Sequence, residues 1–312
     1  PAGLTVAGDL AKMNFAVTIL EGQSEPGGIL LFGIPEFRLQ KDVVRREITE
    51  LLHLGVEIKT NMLVGPDFTV DDLFEQGYDA VFMGTGTSLP RTLDIPGKEL
   101  SGILTATYFL RMVVLSDSGK LDESETLLHD GDNVVVIGAG NVAMDAARCA
   151  KRMGADVSIV YRRGLEELPA RKEEVHHAME EGIDFKVLNN PVKILGNEEG
   201  WVTGMEVVKM ELGEPDASGR RRPVAIEGSN FVLDVDCVIM AIGTKLNKLI
   251  VETTDELEPN ERGGIGTDEG AATSREGVFA GGDAVTGAAT VILAMGAGKT
   301  AAASIDQYLS EK

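Results

Sequence analysis

The chain has 312 residues, of which 43% are hydrophobic, and its 29 basic and 50 acidic residues give a formal net charge of −21. This length and composition predict about two globular domains with substantial cores. So acidic a chain disfavours nucleic acid as a partner, and no apolar run approaches the roughly 20 residues of a membrane-spanning helix. We therefore expect a cytoplasmic protein with neither nucleic acid nor a membrane as its partner.

The chain begins with a predicted helix, followed by a strand that ends in an acid. Small residues over 3–13 predict the helix, the apolar run 16–20 predicts the strand, and Glu21 follows directly. An acid at this point of a dinucleotide-binding fold accepts hydrogen bonds from a ribose. If Gly3 is the last glycine of a G-x-G-x-x-G fingerprint, the first strand and two glycines would precede Pro1. We therefore expect the first sheet to show a gap or an unusual replacement at that strand.

Further apolar runs alternate with helix-like segments along most of the chain. The runs are mostly continuous in their apolar character, as expected for parallel strands that are buried on both faces. Predicted strands lie at 56–60, 80–83, 134–137, 157–161, 238–242 and 278–280, and predicted helices at 41–54, 141–153 and 172–181. This order predicts an α/β class with doubly wound sheets. Two segments differ, because 183–211 predicts consecutive antiparallel strands and the polar segment 116–131 predicts a connection between domains.

A glycine-rich turn follows the predicted strand 134–137. Gly138, Gly140 and Ala143 fit the pattern G-x-G-x-x-A. The first glycine allows a tight turn, the second lets a pyrophosphate approach the backbone, and the alanine permits close packing of helix on sheet. The helix behind the turn offers N–H groups to the phosphates. We therefore predict a dinucleotide site here, the alternative being a tight turn that binds no ligand.

The residues after the next strand predict which dinucleotide binds. Arg162 and Arg163 stand where an NAD site would carry an acid for the ribose. Two guanidinium groups match a 2′-phosphate through charge-assisted, often bidentate hydrogen bonds, so we expect NADP. Arg171 is a candidate for a further phosphate contact. The alternative for the basic pair is a solvated turn.

Other glycines and acids predict contacts to a second dinucleotide. A strand ends just before Asp283 and a helix begins near Thr290, an arrangement that suits phosphates and a ribityl hydroxyl. Gly28 and Gly86 are further positions at which the backbone could approach that ligand closely.

The two cysteines, Cys149 and Cys237, lie in apolar segments far apart, and no C-x-x-C pair occurs. A redox dithiol, a zinc ribbon and a cysteine-ligated iron–sulfur cluster are thereby excluded from this chain. We predict two buried thiols and no metal site.

The motifs together resemble one group of flavoproteins. The matching stretches are PAGL, GGILLFGIPEFRLQK, GTGTSLPRTLDIPG, VVVIGAGNVAMDAAR, VYRRGLEELPA, AIGTKLN and GGDAVTGAATVILAMGAGKTAA. The chain resembles the FAD- and NADPH-binding small subunit of glutamate synthase and its relatives in sulfide dehydrogenase, NADP–ferredoxin transhydrogenase and dihydropyrimidine dehydrogenase. The resemblance implies two Rossmann-like, disulfide-reductase-like domains, with an NADP domain (116–244) inserted in a discontinuous FAD domain (1–115 and 245–312).

The resemblance also implies which residues contact each cofactor. Arg38 would lie near the flavin or its phosphates, and Val64 would meet the adenine through its backbone. The implied FAD contacts are Gly3, Glu21, Gly28, Leu30, Arg38, Val64, Gly86, Asp283 and Thr290. With Gly138 of the fingerprint, the NADP contacts are Gly140, Asn141, Val142, Arg162, Arg163 and Gly243.

The implied function is that of an NADPH-dependent flavoprotein oxidoreductase. It would pass hydride from NADPH to FAD, and electrons on to iron–sulfur clusters held by a partner domain or large subunit. Hydride transfer needs alignment of the reactants, so we predict no catalytic side chain. We expect the four histidines on the surface: His53, His129, His176 and His177.

Three alternatives stay open at this point. The electron acceptor could instead be that of a sulfide dehydrogenase or of a ferredoxin:NADP transhydrogenase. A disulfide reductase of the thioredoxin-reductase type is disfavoured because the chain has no C-x-x-C. Because the first strand and first two glycines of the FAD fingerprint are missing before Pro1, the third alternative is a non-catalytic fragment that binds NADP and not FAD.

Overall fold

The structure is a computed structural model that describes residues 1–65, 68–119, 127–217 and 219–312. The chain divides into two compact units. Unit 1 comprises Pro1–Leu89 and Thr244–Lys312, and unit 2 is the continuous segment Pro90–Gly243. One unit is therefore inserted in the other.

The first boundary between the units falls earlier in the chain than the boundary expected at 115/116. Strand β5 (Ile103–Thr105) pairs in parallel with β13 (Cys237–Met240), and helix α5 (Ala106–Asp117) follows β5 directly. This pairing joins 90–115 to unit 2. The segment 116–131, predicted to connect domains, begins inside α5, and residues 120–126 of it lie outside the described ranges.

Unit 2 contains a five-stranded parallel sheet made of β5, β13, β6 (Asn133–Ile137), β7 (Asp156–Tyr161) and β8 (Asp184–Val187). Its strand order is β5-β13-β6-β7-β8. Every residue of β13 is buried and so are the last four residues of β6, as the continuous apolar runs predicted. The remaining elements are α6 (Asn141–Arg152), the 3₁₀-helix Leu165–Glu167 and α7 (Lys172–Glu180).

A second, antiparallel sheet belongs to the same unit, as the segment 183–211 predicted. Its long strand β10 (Val202–Pro215) pairs with β9 (Asn189–Gly196), β11 (Arg221–Ala225) and β12 (Phe231–Asp234). Met205 and Val207 of β10 are fully buried and share one hydrophobic cluster with Val135 and Val160 of the parallel sheet. Strand β10, which continues into the β10–β11 hairpin, thus packs against the parallel sheet that carries the glycine-rich turn.

Unit 1 has its parallel strands in two separate pairs. Strand β1 (Thr18–Glu21) pairs with β2 (Glu57–Thr60), and β3 (Val81–Met83) pairs with β15 (Val278–Ala280). Helix α1 contacts both β1 and β3, and it packs on α10 and α3. Among the described residues, these two pairs of parallel strands share no strand. The α-helices described for this unit are α1 (Ala2–Lys12), α2 (Ile29–Phe32), α3 (Lys41–His53), α4 (Val70–Glu75), α8 (Leu249–Glu252), α9 (Asp283–Thr286) and α10 (Val291–Glu311).

Two-residue strands, β4 (Leu89–Pro90) and β14 (Thr244–Lys245), stand at the chain positions where one unit gives way to the other. None of the helices in the described ranges is both long enough and apolar enough to cross a membrane.

Candidate dinucleotide sites

The fingerprint turn of unit 2 joins the carboxyl end of β6 to α6. Gly138 has a φ of 123°, and a Cβ built at this position would overlap the carbonyl oxygen of Ala241. The Gly138 N–H donates to the carbonyl of Val160 at 3.1 Å, which ties the turn to β7. This position therefore requires glycine, both for its backbone conformation and for the space available.

Gly140 stands directly before α6, and no side chain caps this helix. Its carbonyl accepts from the N–H groups of Ala143 and Met144 at 2.9 and 3.1 Å. A Cβ at Gly140 would meet no atom within 4 Å, so open space lies in front of the helix. The first N–H groups of a helix have no partner within it, and together with the helix dipole they suit a pyrophosphate. The structure of this turn fits a dinucleotide.

A neighbouring loop is hydrogen-bonded to the fingerprint turn. The N–H of Ala170 donates to the carbonyl of Ala139 at 3.2 Å, and the N–H of Arg171 donates to Oδ1 of Asn141 at 3.0 Å. The Asn141 side chain thus holds this loop at the beginning of α6. The Arg171 guanidinium is largely exposed and lies 3.2 Å from Glu174, so it remains a candidate for a phosphate contact.

The two arginines that follow β7 have different environments. Arg162 is exposed and lines a cleft of about 690 Å³. Arg163 is buried, and its Nε donates to the carbonyl of Arg221 at 2.9 Å while its Nη2 lies 2.6 Å from Asp216. Both arginines were predicted to bind a 2′-phosphate, and in the structure Arg163 is bonded to the β10–β11 hairpin.

The same cleft is lined by Arg222 of β11, which was not among the residues predicted to bind NADP. The RRRP run at 220–223 was the available signal, but only the pairing of β11 with β10 brings it beside the segment that follows β7.

The other predicted NADP contacts lie on the same edge of the parallel sheet. Val142 is exposed in the first turn of α6, and Gly243, with a φ of 92°, follows β13. Strands β13, β6 and β7 are neighbours, so the segments after their carboxyl ends meet at one edge. Open α/β sheets bind their ligands at such an edge, beside the point where the strand order reverses.

Several predicted FAD contacts lie at the carboxyl ends of the parallel strands of unit 1. Glu21 is the last residue of β1, Gly86 follows β3, and Asp283 follows β15. Gly28 and Gly86 have φ values of 52° and 69°, and a Cβ at either would meet no atom within 4 Å. Burial raises the pKa of the Asp283 carboxyl above its ordinary value. These open backbone positions and carboxylates are compatible with a flavin nucleotide.

The beginning of α1 lies against those strand ends. A Cβ at Gly84 would come within 3.1 Å of the backbone nitrogen of Gly3.

The remaining predicted FAD contacts are held by local structure. Leu30 lies in α2 and Arg38 lies in the loop before α3. Val64 packs against the cluster that includes Val70, and Thr290 caps α10 by accepting from the N–H of Leu293 at 3.4 Å. Their roles toward FAD stay predictions.

The surroundings of both cysteines disfavour the thiolate form. Cys149 and Cys237 are both buried, and burial raises the pKa of each thiol to about 12. The four histidines are exposed, as predicted. Within the described ranges, no group of three histidine, cysteine or acidic side chains could hold a metal ion.

Comparison with protein families gives a match over almost the whole chain. The family described as pyridine nucleotide-disulphide oxidoreductase matches residues 1–301. The NADP(+)-dependent formate dehydrogenase subunit beta of Moorella thermoacetica is 43% identical over 100% of this chain and 43% of its own length. The glutamate synthase [NADPH] small chain of Escherichia coli (strain K12) is 37% identical over 99% of this chain and 67% of its own. The NADPH-Fe(3+) oxidoreductase subunit beta of Geobacter sulfurreducens is 36% identical over 100% of this chain and 49% of its own length. The chain thus spans less than half of two of these relatives.

Solved structures agree on the fold. FprA of Mycobacterium tuberculosis in complex with NADPH has a TM-score of 0.80 at 20% identity, covering 100% of this chain and 83% of that one. Thioredoxin reductase of Lactococcus lactis has a TM-score of 0.75 at 21% identity, covering 100% of this chain and 97% of that one. The predicted α/β class with two dinucleotide-binding domains is thereby confirmed. The chain belongs to the pyridine nucleotide-disulphide oxidoreductase family of NAD(P)-dependent flavoproteins, as its resemblance to glutamate synthase small subunits predicted.

Proposed function

We propose that the chain is an NADPH-dependent flavoprotein module that oxidises NADPH through FAD and passes the electrons to iron–sulfur clusters of a partner. The observation that carries the NADPH assignment is the edge of unit 2, where the turn at Gly138 and Gly140 is hydrogen-bonded to Val160 of β7 and the exposed Arg162 directly follows that strand. An NAD site would carry an acid after this strand, and a guanidinium suits a 2′-phosphate.

The relatives support the division between a shared module and a variable acceptor. Their names describe three different overall reactions, yet each of the three names includes NADP(+) or NADPH. All three align with essentially the whole of this chain. The activity that they have in common is therefore the best assignment for it, and the acceptor would lie on another domain or subunit, as in the glutamate synthase, sulfide dehydrogenase and transhydrogenase alternatives.

Specific residues would hold NADPH. The turn at Gly138 and Gly140 and the N-terminus of α6 would bind the pyrophosphate, and Arg162 would bind the 2′-phosphate. Val142 and Gly243 would flank the nucleotide at the same edge. When it is bound, the nicotinamide supplies the hydride, so the role of these residues is to bind and orient it.

FAD would be held by unit 1. Glu21 would accept from its ribose and Asp283 from its ribityl chain, and the open positions at Gly28 and Gly86 would admit its phosphates close to the backbone. When it is bound, the flavin supplies the change from two-electron to one-electron chemistry.

A second direction of electron flow is favoured by one relative. The formate dehydrogenase subunit is named for NADP(+), the oxidised cofactor, and it is 43% identical over the whole of this chain. The same residues would then bind NADP(+) as the acceptor of electrons that arrive through the flavin.

The visible absorption spectrum of the purified chain tests the proposal. We expect flavin bands that bleach when NADPH is added anaerobically and return when a one-electron acceptor such as ferricyanide follows. NADH at the same concentration is the control, and it should bleach the bands much more slowly. A colourless protein that resists reconstitution with FAD but binds NADPH would instead establish the fragment that lacks flavin chemistry. Equal bleaching by NADH would contradict the preference for NADPH.

A further inference from the structure

The β10–β11 hairpin is tied to the segment that follows β7 by two sets of polar contacts. Arg163 donates to the carbonyl of Arg221 at 2.9 Å and pairs with Asp216 at 2.6 Å. The Arg221 guanidinium pairs with Glu167, from the 3₁₀-helix after β7, at 2.6 Å. Because the Arg163 and Glu167 side chains are each only 8% exposed, these contacts fix where the hairpin lies.

This fastening brings Arg222 to the cleft that Arg162 lines. Both arginines are exposed, and neither guanidinium has a hydrogen-bond or ion-pair partner in the described part of the chain. The cleft of about 690 Å³ lies between the hairpin and the segment after β7, the strand to which the turn at Gly138 is hydrogen-bonded through Val160. Two guanidinium groups with free donors therefore face one space.

The charge around the cleft suits an anion. Its lining contains three arginines, at 162, 163 and 222, against two carboxylates, Glu214 and Asp216. One carboxylate, Asp216, is already paired with Arg163. A lining with an excess of positive charge is unusual in a chain of net charge −21, and it would attract a phosphate.

We propose that Arg222 is the second cation for the 2′-phosphate of NADP(H), acting with Arg162, and that Arg163 positions the hairpin that carries it. This assignment rests on the proposed binding of NADP(H) to unit 2, and it names the residues that select the phosphorylated cofactor. A phosphate group binds two guanidiniums more strongly than one, because each can donate charge-assisted hydrogen bonds. Arg163 has its Nε and Nη2 engaged with the hairpin, so it acts on the phosphate through Arg222.

Calorimetric binding of 2′,5′-ADP and of 5′-AMP to the full chain tests this role. For Arg222→Ala and Arg162→Ala we expect the affinity for 2′,5′-ADP to fall about tenfold or more, because each variant loses charge-assisted hydrogen bonds. The affinity for 5′-AMP should be unchanged, and Arg222→Lys should retain part of the preference. Arg220→Ala is the matched control, since it removes the same charge from the same hairpin at a residue that does not line the cleft.

The outcomes separate this proposal from the proposed function. If the unaltered chain binds 2′,5′-ADP no better than 5′-AMP, the NADPH assignment itself is wrong. If the unaltered chain prefers 2′,5′-ADP and Arg222→Ala keeps the full preference, only the role of Arg222 is overturned.

Asp216→Asn distinguishes a positioning role for Arg163 from direct binding. A positioning Arg163 predicts weaker 2′,5′-ADP binding and faster hydrogen exchange in β11, because the hairpin loses its ion pair. A directly binding Arg163 predicts tighter 2′,5′-ADP binding, since the competing carboxylate charge is gone. Tighter binding would therefore overturn the positioning role.

Discussion

At the scale of single residues, the two glycines of the turn before α6 have different physical roles. Gly138 is required by the fold, because its backbone conformation and the nearby carbonyl of Ala241 leave no place for a side chain. Gly140 has a φ of −83°, which any residue can adopt, and open space around its missing side chain. The proposed NADPH site would use this open space for the pyrophosphate.

We expect Gly140→Ala to keep the stability of the protein and to weaken NADPH binding about tenfold, because the methyl group would enter the space left for the pyrophosphate. Gly138→Ala should lower the free energy of unfolding by about 1–3 kcal/mol through strain and overlap. Urea unfolding and calorimetric titration with NADPH measure both quantities. Unchanged NADPH affinity in Gly140→Ala would place the pyrophosphate elsewhere.

The arginines show how far residue identity can be predicted from sequence. The pair at 162 and 163 was found because it follows a predicted strand, but consecutive side chains at a strand end tend to point in opposite directions. One of them is exposed and the other is bonded to Asp216 and the carbonyl of Arg221. Arg222 could not be found in this way, because its position depends on pairing between β10 and β11 and on the packing of the hairpin.

At the scale of elements, a network of charges joins α6 and α7. The Arg148 guanidinium, whose side chain is 10% exposed, lies 3.4 Å from Glu174 and 2.8 Å from Glu181. Hydrogen bonding from Arg152, and secondarily from Arg148, holds the pKa of Glu181 below its ordinary value of 4.5. Arg148 and Glu174 are largely shielded from water, so removing Arg148 leaves the carboxylate charge of this network less well compensated.

We expect Arg148→Ala to lower the free energy of unfolding by about 3 kcal/mol at pH 7, because Glu174 and Glu181 lose a buried cation and keep only the more exposed Arg171 and Arg152. Lys98→Ala, which removes an exposed partner of Asp94, is the control and should lower the free energy of unfolding far less. Equal losses in the two variants would contradict the distinction between buried and exposed pairs.

The same network has a pH dependence whose sign follows from Glu181. A carboxyl whose pKa is lowered in the folded state stabilises the fold above its unfolded pKa, and this contribution is lost as the pH falls. The difference in unfolding free energy between Arg148→Ala and the unaltered chain should therefore shrink as the pH falls below 4.5. A difference that stays constant down to pH 3 would mean that Arg148 acts through packing alone.

The elements themselves were largely predictable. Helix α3 was expected at 41–54 and observed at Lys41–His53, where Val44 and Ile48 are buried one turn apart. The hairpin was less predictable, because polar residues carry β10 as far as Pro215 and β11 begins at Arg221. Exposed strands of an antiparallel sheet leave a weaker apolar pattern than buried parallel strands do.

At the scale of the whole molecule, the chain is divided into one continuous and one discontinuous unit. The continuous unit, Pro90–Gly243, has its own five-stranded parallel sheet and a hydrophobic cluster that includes Val238 and Met205. A unit with its own core is able to fold alone. The discontinuous unit could not be isolated as a simple segment of the chain.

We expect residues 90–243 expressed alone to unfold cooperatively in urea and to bind 2′,5′-ADP with the affinity of the full chain, because every residue proposed for the 2′-phosphate lies within them. Circular dichroism and calorimetry measure the two properties. A version that begins at residue 116, the boundary expected from sequence, is the matched control and should be less stable because it lacks β5. If the two versions were equally stable, β5 would not stabilise unit 2, and the boundary at residue 90 would be contradicted.

The sequence by itself determined the α/β class, the family, the fingerprint at Gly138 and Gly140, and the candidate for the 2′-phosphate at Arg162. These features depend on local patterns, since a glycine-rich turn is read within a few residues and buried parallel strands appear as continuous apolar runs. Only the tertiary structure decided that 90–115 joins unit 2, that Arg163 is bonded to the hairpin, and that Arg222 faces the cleft. Each of these depends on strand pairings between residues distant in sequence, and hydrogen bonds of that kind leave no mark on the local pattern of either partner.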